Sequence, residues 1–305
     1  MFCPSMNLSD ILKSILEMTA WRMDPPELFG GFHVLATGIT LLAATLLAAL
    51  VTAPMRQSLP EGRHYGTSSS GPERHVSRDP RESKLIRILA VCGWILIIME
   101  LFKQLFLYYI VNGGAYDWWY FPFQLCSVPM YLCILLPAVR GRLRDAFLTF
   151  MAGYTFISAF AALAYPQDFL RSYTVLTAHG FLWHGILLFI SLAIALSGLS
   201  DLSIRGFARA TLLFLVLCVT AAGINTAIEV LILGNGSGLA GRVYSSYPAM
   251  FYLNPLRISP QPLVGTVQQA IGPPAGIAAG LVLYVCTIIA AAGMYTAIMC
   301  HRLDS

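Results

Sequence analysis

The chain has 305 residues, of which 57% are hydrophobic and only 11% are charged, whereas about a quarter of the residues of an average soluble protein are charged. This composition, with a mean hydropathy of +0.69, excludes an ordinary soluble globule and predicts an all-α membrane protein. The net charge of +4 is too small and too scattered for a nucleic-acid surface. The seven cysteines form no CxxC pair and no Cys/His ligand spacing, so we expect neither a metal site nor a disulfide scaffold.

The first element in chain order is an amphipathic segment within residues 1–31. Between Ser9 and Met23, apolar residues recur near helical spacing opposite charged ones. This pattern predicts a helix that lies in the membrane interface rather than across the bilayer. Because the segment lacks the basic start and single short apolar run of a cleaved signal peptide, we expect targeting by the first span.

The rest of the chain, residues 32–305, is predicted to form a bundle of seven transmembrane helices. A helix that crosses a bilayer needs about 20 predominantly apolar residues. Seven runs meet this requirement: residues 32–53, 86–111, 119–139, 146–165, 177–198, 209–233 and 275–300. We therefore expect a multi-pass integral membrane protein, which in a bacterium would reside in the plasma membrane.

Two long connections between these runs differ in composition. Residues 54–84 are rich in Pro, Gly and Ser and carry several arginines, which predicts a flexible basic loop. Residues 234–274 combine aromatic side chains with six prolines and are too apolar for a simple solvated loop. We expect this second connection to fold back over the outer end of the bundle as a cap or re-entrant piece.

The distribution of basic residues indicates the orientation of the bundle. Thirteen of the 19 lysines and arginines lie in or beside the first, third and fifth connections or at the C-terminus, whereas five lie in the N-terminal segment and the other connections. Because basic residues favour the cytoplasmic side, we expect the N-terminus outside and the C-terminus in the cytoplasm.

Polar side chains inside the predicted spans cluster at one depth, and ionisable groups in a membrane are costly enough to mark candidate sites. They are Glu100 and Lys103 in the second span, Gln124 and Cys126 in the third, His179 and His184 in the fifth, and Asn225 and Glu229 in the sixth. At a rise of about 1.5 Å per residue, Lys103, Cys126, His184 and Asn225 all lie roughly 10 Å below the outer boundary. The inner half of the bundle has almost nothing comparable.

A thiol beside an imidazole is the minimum needed for an activated thiolate nucleophile. Because His179 and His184 are five residues apart, about 140° around a helix, we expect only one of them to face Cys126. Structural alternatives stay open. Glu100 and Lys103 could simply neutralise one another, the other polar groups could join helices by hydrogen bonds, and the cysteine could be a small packing residue.

Several short motifs resemble those of one family. The run from Tyr120 to Cys126, YFPFQLC, resembles the Pro-x-x-Leu-Cys signature of the YwaF-like bacterial integral membrane proteins, which are related to transmembrane protein 164. The run from Phe181 to Gly185, FLWHG, resembles that family's aromatic-x-x-His-Gly helix start. Tyr165-Pro166 matches the family's outer turn after the fourth helix, and Asn225 falls where a polar residue is usual in the sixth.

The resemblance, which spans about residues 85–300, implies a membrane acyltransferase that acts on phospholipid acyl chains. The motif cysteine would carry the acyl group as a thioester and the motif histidine would be the base, roles that fall on Cys126 and His184. His179 is a second candidate base. The supporting roles are imidazole orientation by Glu100 or Glu229 and oxyanion stabilisation by Lys103, Gln124 or Asn225. We expect membrane lipids as solvent and substrate, no cofactor and no nucleic-acid partner, and the sequence indicates no protein partner.

Other functions fit the same residues less well. Hydrolysis of a lipid by the same thiol and imidazole would need only water in place of the acceptor. A transporter or channel for a small polar solute could use Glu100, Lys103, Asn225 and Glu229 as its lining, but the apolar inner half offers no continuous route. A retinal photoreceptor would need a lysine in the last helix, and residues 275–300 contain none.

Overall fold

The computed structural model describes residues 7–56, 80–234 and 247–304. Within these residues the regular secondary structure is helical, apart from one isolated backbone bridge between Arg22 and Tyr173. The α-helices are α1 (Leu8–Glu17), α2 (Gly31–Arg56), α3 (Pro80–Phe106), α4 (Val128–Leu135), α5 (Gly141–Ala164), α6 (Thr174–Ser197), α7 (Ile204–Ala227), α8 (Pro262–Ile271) and α9 (Ala275–Asp304). Helix α3 continues as a π-helical turn over Leu107–Val111, and α7 continues as one over Ile228–Leu233. Single 3-10 turns occupy Trp118–Tyr120 and Met250–Tyr252.

Six helices in the described part of the chain are long and apolar enough to cross a membrane: α2, α3 with its π-helical turn, α5, α6, α7 with its π-helical turn, and α9. Helices α5 and α6 form the centre of the bundle, since 61% and 67% of their most apolar windows are buried. The corresponding fractions for α2 and α9 are 11% and 17%. Apolar side chains that face outward on this scale need lipid as their solvent.

The prediction of one continuous helix over residues 119–139 is wrong. The segment forms a 3-10 turn, an irregular stretch over 121–127 and then α4, whose eight residues rise only about 12 Å at 1.5 Å per residue. Proline explains the interruption. Pro122 disfavours helical geometry at Phe121, which adopts φ −53 and ψ 132, and Pro129 lies in the first turn of α4, where proline is tolerated.

The other predicted regions are described in part. Helix α1 forms within the predicted interfacial segment, with Leu16 buried beside Phe106 and with Ile15 and Met18 exposed. The ends of the predicted loop 54–84 are helical, because α2 extends to Arg56 and α3 begins at Pro80, while residues 57–79 lie outside the described residues. Residues 235–246 also lie outside the described residues. They belong to the predicted connection 234–274, which we call the aromatic connection.

The N-terminal ends of α3, α5 and α7 meet at one end of the bundle, which we call the inner end. Glu82 of α3 forms an ion pair with Arg144 of α5. Arg209 of α7 bridges Asp145 and Asp201, with nitrogen to oxygen distances of 3.6 and 2.7 Å. The candidate site residues lie towards the opposite ends of these helices, at what we call the outer end.

Candidate functional site

The irregular stretch 121–127, here named the Cys126 segment, carries the candidate nucleophile. Cys126 is half-buried and lies two residues before α4. Side chains from surrounding elements bond to this segment and to the adjoining Tyr120. They are Gln104 and Arg171 on Tyr120, Tyr131 on the carbonyl of Pro122 at 2.7 Å, and Trp183 on the carbonyl of Cys126 at 3.2 Å. These contacts add to the few backbone hydrogen bonds of the stretch itself, in which the carbonyl of Gln124 accepts from the amides of Ser127 and Val128 at 2.8 and 3.3 Å.

Charged and aromatic groups of α3 and α6 lie next to this segment. Lys103 Nζ is 2.8 Å from Glu100 Oε2, so the predicted neutralising pair is present. The same ammonium lies 5.8 Å from the ring centroid of Trp183, which stacks on His179 at 5.6 Å. His179 Nε2 donates to the carbonyl of Met99 at 3.1 Å. The backbone of the Cys126 segment, Lys103, Trp183 and His179 therefore form one connected cluster.

His184, the residue after Trp183, is 8% exposed and is held by two contacts. Its Nδ1 donates to the carbonyl of Gly180 at 2.8 Å, and its ring stacks on Phe169 at 5.0 Å. Because Nδ1 carries the proton in this bond, Nε2 is the nitrogen that can accept one. Among the described residues Nε2 has no hydrogen-bond partner, and no hydrogen bond joins Cys126 to either histidine.

The two predicted amides, Gln124 and Asn225, bond to the backbone of the aromatic connection. Gln124 donates to the carbonyl of Ala249 at 3.2 Å and accepts from the amide of Phe251 at 2.8 Å. Asn225, fully buried on α7, donates to the carbonyl of Met250 at 3.0 Å and accepts from its amide at 2.9 Å. Both side chains therefore have structural partners in this state.

Neither predicted carboxylate contacts an imidazole in the part of the chain that the structure describes. Glu100 is bonded by Lys103 and by Gln104, the latter at 2.7 Å. Glu229, in the π-helical turn that ends α7, accepts from Arg257 at 2.5 Å. Burial of these carboxylates is thus compensated by cationic partners, which is how buried charges are ordinarily tolerated.

Sequence reasoning missed a second polar group at the outer end. The hydroxyl of Tyr252 donates to Asp168 Oδ2 at 3.1 Å, and the ring of Tyr252 lies 6.2 Å from that of Trp119. Burial raises the pKa of Tyr252 above the ordinary range of a phenol. Burial also raises the pKa of Tyr120, and the guanidinium of Arg171 opposes that rise. Nothing in the local sequence pattern connects these residues, because the contacts join separate elements.

Comparison with protein families gives a match over residues 28–257, which is most of the chain. The chain belongs to the TMEM164 family. The match confirms the relation to transmembrane protein 164, and with the six apolar helices it shows that this TMEM164-family chain is a multi-pass membrane protein. All the candidate site residues lie within the matched range. Comparison with curated proteins and with solved structures finds no match.

Proposed function

We propose that this TMEM164-family chain is an integral membrane acyltransferase that uses Cys126 as nucleophile and His184 as base on phospholipid acyl chains. The hydrogen bond from Trp183 Nε1 to the Cys126 carbonyl carries the proposal. It joins the thiol-bearing segment to α6 at the residue beside His184. The imidazole is already oriented by its bond to Gly180 and has Nε2 free to accept a proton.

The proposed reaction has two steps. In the first, Nε2 of His184 takes the proton of the Cys126 thiol, and the sulfur attacks the ester carbonyl of a phospholipid. The carbon–oxygen ester bond breaks, and the leaving lysophospholipid alkoxide takes the proton from the imidazolium. In the second, the hydroxyl of an acceptor lysolipid attacks the thioester while His184 removes its proton. The thiolate then leaves and is reprotonated.

We assign the stabilisation of the tetrahedral oxyanion to Lys103. It belongs to the cluster that contacts the Cys126 segment, and a fixed positive charge in a low-dielectric site favours developing negative charge. The pairing of Lys103 with Glu100, and of Glu229 with Arg257, argues against a solute pathway, because each of these charged groups is tied to a protein partner and does not line an open route.

A labelled acyl chain tests the nucleophile. Purified protein in liposomes receives a phospholipid with a radiolabelled acyl chain, and we expect protein-bound label that neutral hydroxylamine releases. Cys126→Ala should abolish both the label and the transfer to an added lysophospholipid. Cys133→Ala is the matched control, because Cys133 is fully buried and its sulfur contacts Met151 Sδ at 3.6 Å. Full transfer by the Cys126→Ala variant would contradict the proposal.

The two histidines provide the second arm of the same assay. His184→Ala should lower transfer by about 10²- to 10⁴-fold, the usual contribution of a general base. His179→Ala should lower transfer less, because Nε2 of His179 already donates to the carbonyl of Met99. The reverse order would make His179 the base. Release of free fatty acid in place of acyl transfer would identify the lipid hydrolase.

We also propose that the chain crosses the membrane seven times, with the N-terminus outside and the C-terminus in the cytoplasm. The Glu82–Arg144 pair supports this path, because it requires the chain to return between α3 and α5, through the Cys126 segment and α4. Single cysteines introduced into a cysteine-free variant test the orientation. A probe that cannot cross the membrane should leave position 70 unlabelled from outside, and labelling there would invert the topology.

A further inference from the structure

The aromatic connection is tied to the site by two side-chain amides that leave none of their polar atoms unused. Gln124 bonds to Ala249 and Phe251, and Asn225 bonds to both backbone groups of Met250. Three consecutive residues of the connection, 249–251, are thus held from one side by the Cys126 segment and from the other by α7. We call this arrangement the amide clamp.

The backbone next to the amide clamp has a conformation that residues other than glycine rarely adopt. Phe251 has φ 55 and ψ 15, and Tyr252 has φ 56, so two consecutive aromatic residues are in the left-handed region. Such conformations persist only where surrounding contacts over-determine them, and they cluster at functional sites. Phe251 is fully buried, with its ring 5.8 Å from that of Phe123 and 6.3 Å from that of Phe214.

The clamp acts on the same short stretch that carries the proposed nucleophile. Gln124 is two residues before Cys126, whose own carbonyl is bonded by Trp183. The Cys126 segment is therefore held on one side by the aromatic connection and on the other by α6. Loss of the Gln124 bonds or of the Trp183 bond would let the Cys126 sulfur move relative to His184. A displacement of about 1 Å can lower the rate about 100-fold.

We propose that Gln124 and Asn225 are positioning residues of the acyl-transfer site, which fix Cys126 by holding residues 249–251, the stretch that leads into the left-handed pair Phe251 and Tyr252. This inference rests on the proposed function and replaces the oxyanion role that the sequence predicts for the two amides. The side-chain amides are instead oriented by backbone partners. The nitrogen of Gln124 donates one of its two N–H groups to the carbonyl of Ala249, and that of Asn225 donates one to the carbonyl of Met250.

The test measures acyl transfer and thiol reactivity in the same variants. Asn225→Ala and Gln124→Ala should lower kcat by about 10- to 100-fold and leave KM unchanged, because substrate contacts are kept while the sulfur is misplaced. In a protein that retains Cys126 as its only cysteine, both changes should speed its alkylation by a neutral maleimide. The double variant should cost little more than either single one, because both amides hold the same three residues.

Thr226→Ala is the matched control. Thr226 is the residue after Asn225, and its hydroxyl bonds to the carbonyl of Ala222 in its own helix, at 2.8 Å. The kcat and the alkylation rate of this variant should therefore equal those of the parent. Gln124→Glu keeps the acceptor for Phe251 and loses the donor to Ala249. It should show an intermediate kcat. If Asn225→Ala does not fold, the kcat of Gln124→Glu tests the positioning role.

The outcomes separate the two proposals. Parental kcat and parental alkylation in the clamp variants would overturn the positioning role, while the Cys126→Ala result would still test the nucleophile. A rise of KM alone would also overturn it, because it would assign the amides to substrate binding. If Cys126→Ala keeps full transfer, the acyltransferase mechanism fails, yet the alkylation rates still report whether the clamp holds the segment.

Discussion

The two ends of the bundle are held together by different interactions. At the inner end, ion pairs join regular helices and one connection: Glu82 of α3 with Arg144 of α5, and Arg209 of α7 with Asp145 of α5 and with Asp201, which lies between α6 and α7. Most of these side chains are partly exposed, and such pairs contribute little free energy. At the outer end, buried side chains bond to the backbone of irregular segments, as Asn225 does to Met250, and the ion pairs contain a buried carboxylate, as that of Glu100 with Lys103 does.

The difference follows from what each end must hold. Regular helices satisfy their own backbone hydrogen-bonding groups. The charged side chains at the inner end therefore only determine which helix ends lie next to each other. The Cys126 segment and residues 249–252 are not regular helix, and in an apolar setting their free amides and carbonyls must find partners in side chains. Losses at the outer end should therefore exceed those at the inner end, both in stability and in function.

The largest stability effect is expected at the Glu100–Lys103 pair. Glu100 is 4% exposed, so Glu100→Gln leaves the ammonium of Lys103 without its counter-charge and should cost about 3–5 kcal/mol. Lys103→Met should cost a similar amount, and the double variant less than the sum of the two. A double-mutant cycle on unfolding in detergent measures the coupling. Strictly additive losses would mean that the pair contributes nothing.

A smaller loss is expected at His33, which joins α2 to the end of α5. Its Nδ1 accepts from the amide of Phe29 at 3.0 Å, and its Nε2 donates to the carbonyl of Leu163 at 2.9 Å. His33→Leu leaves the amide of Phe29 unpaired and leaves the carbonyl of Leu163 with its longer bond from Thr37 at 3.3 Å. It should lower the free energy of unfolding by about 1–3 kcal/mol. Thr45→Ala is the control, since its exposed hydroxyl bonds to the carbonyl of Leu41 within α2. Equal stability of the two variants would refute the anchoring role.

The smallest effect is expected at the inner end. Arg209→Gln removes contacts with Asp145 and Asp201, but these groups are partly exposed, so the loss should stay below about 1 kcal/mol. Molar salt should remove the difference from the parent, because it screens exposed charges. The midpoint of unfolding at low and high salt gives the comparison, and a salt-independent loss as large as that of His33→Leu would erase the contrast between the two ends.

Composition predicts the regular part of this fold well. The predicted spans 146–165 and 177–198 correspond to α5 (Gly141–Ala164) and α6 (Thr174–Ser197), because burial in lipid demands long apolar runs. The run 119–139 is equally apolar, and it misled the prediction because hydropathy ignores where proline falls. Contacts within one helix could also be predicted from spacing. Glu100 and Lys103 are three residues apart, which brings them to one face of the helix, and the ion pair between them forms.

The contacts of the candidate site could not be predicted from the sequence. Rise per residue predicts Cys126 level with His184, whereas the hydrogen bond that forms is from Trp183, the residue before His184, to the Cys126 carbonyl. The partners of Gln124 could not be predicted, because Ala249 and Phe251 are more than 120 residues away in the sequence. Asn225 and Glu229 are four residues apart, yet the π-helical turn begins between them, and they bond to different parts of the aromatic connection.

The position of Trp183 gives the protein an optical reporter of its own. The indole is 4% exposed, stacks on His179, lies beside the ammonium of Lys103 and donates to the Cys126 carbonyl. Its fluorescence should be blue-shifted by burial and sensitive to any movement of the Cys126 segment. With the other four tryptophans replaced by phenylalanine, emission from this ring would follow lipid arrival and acylation in real time, without an attached dye.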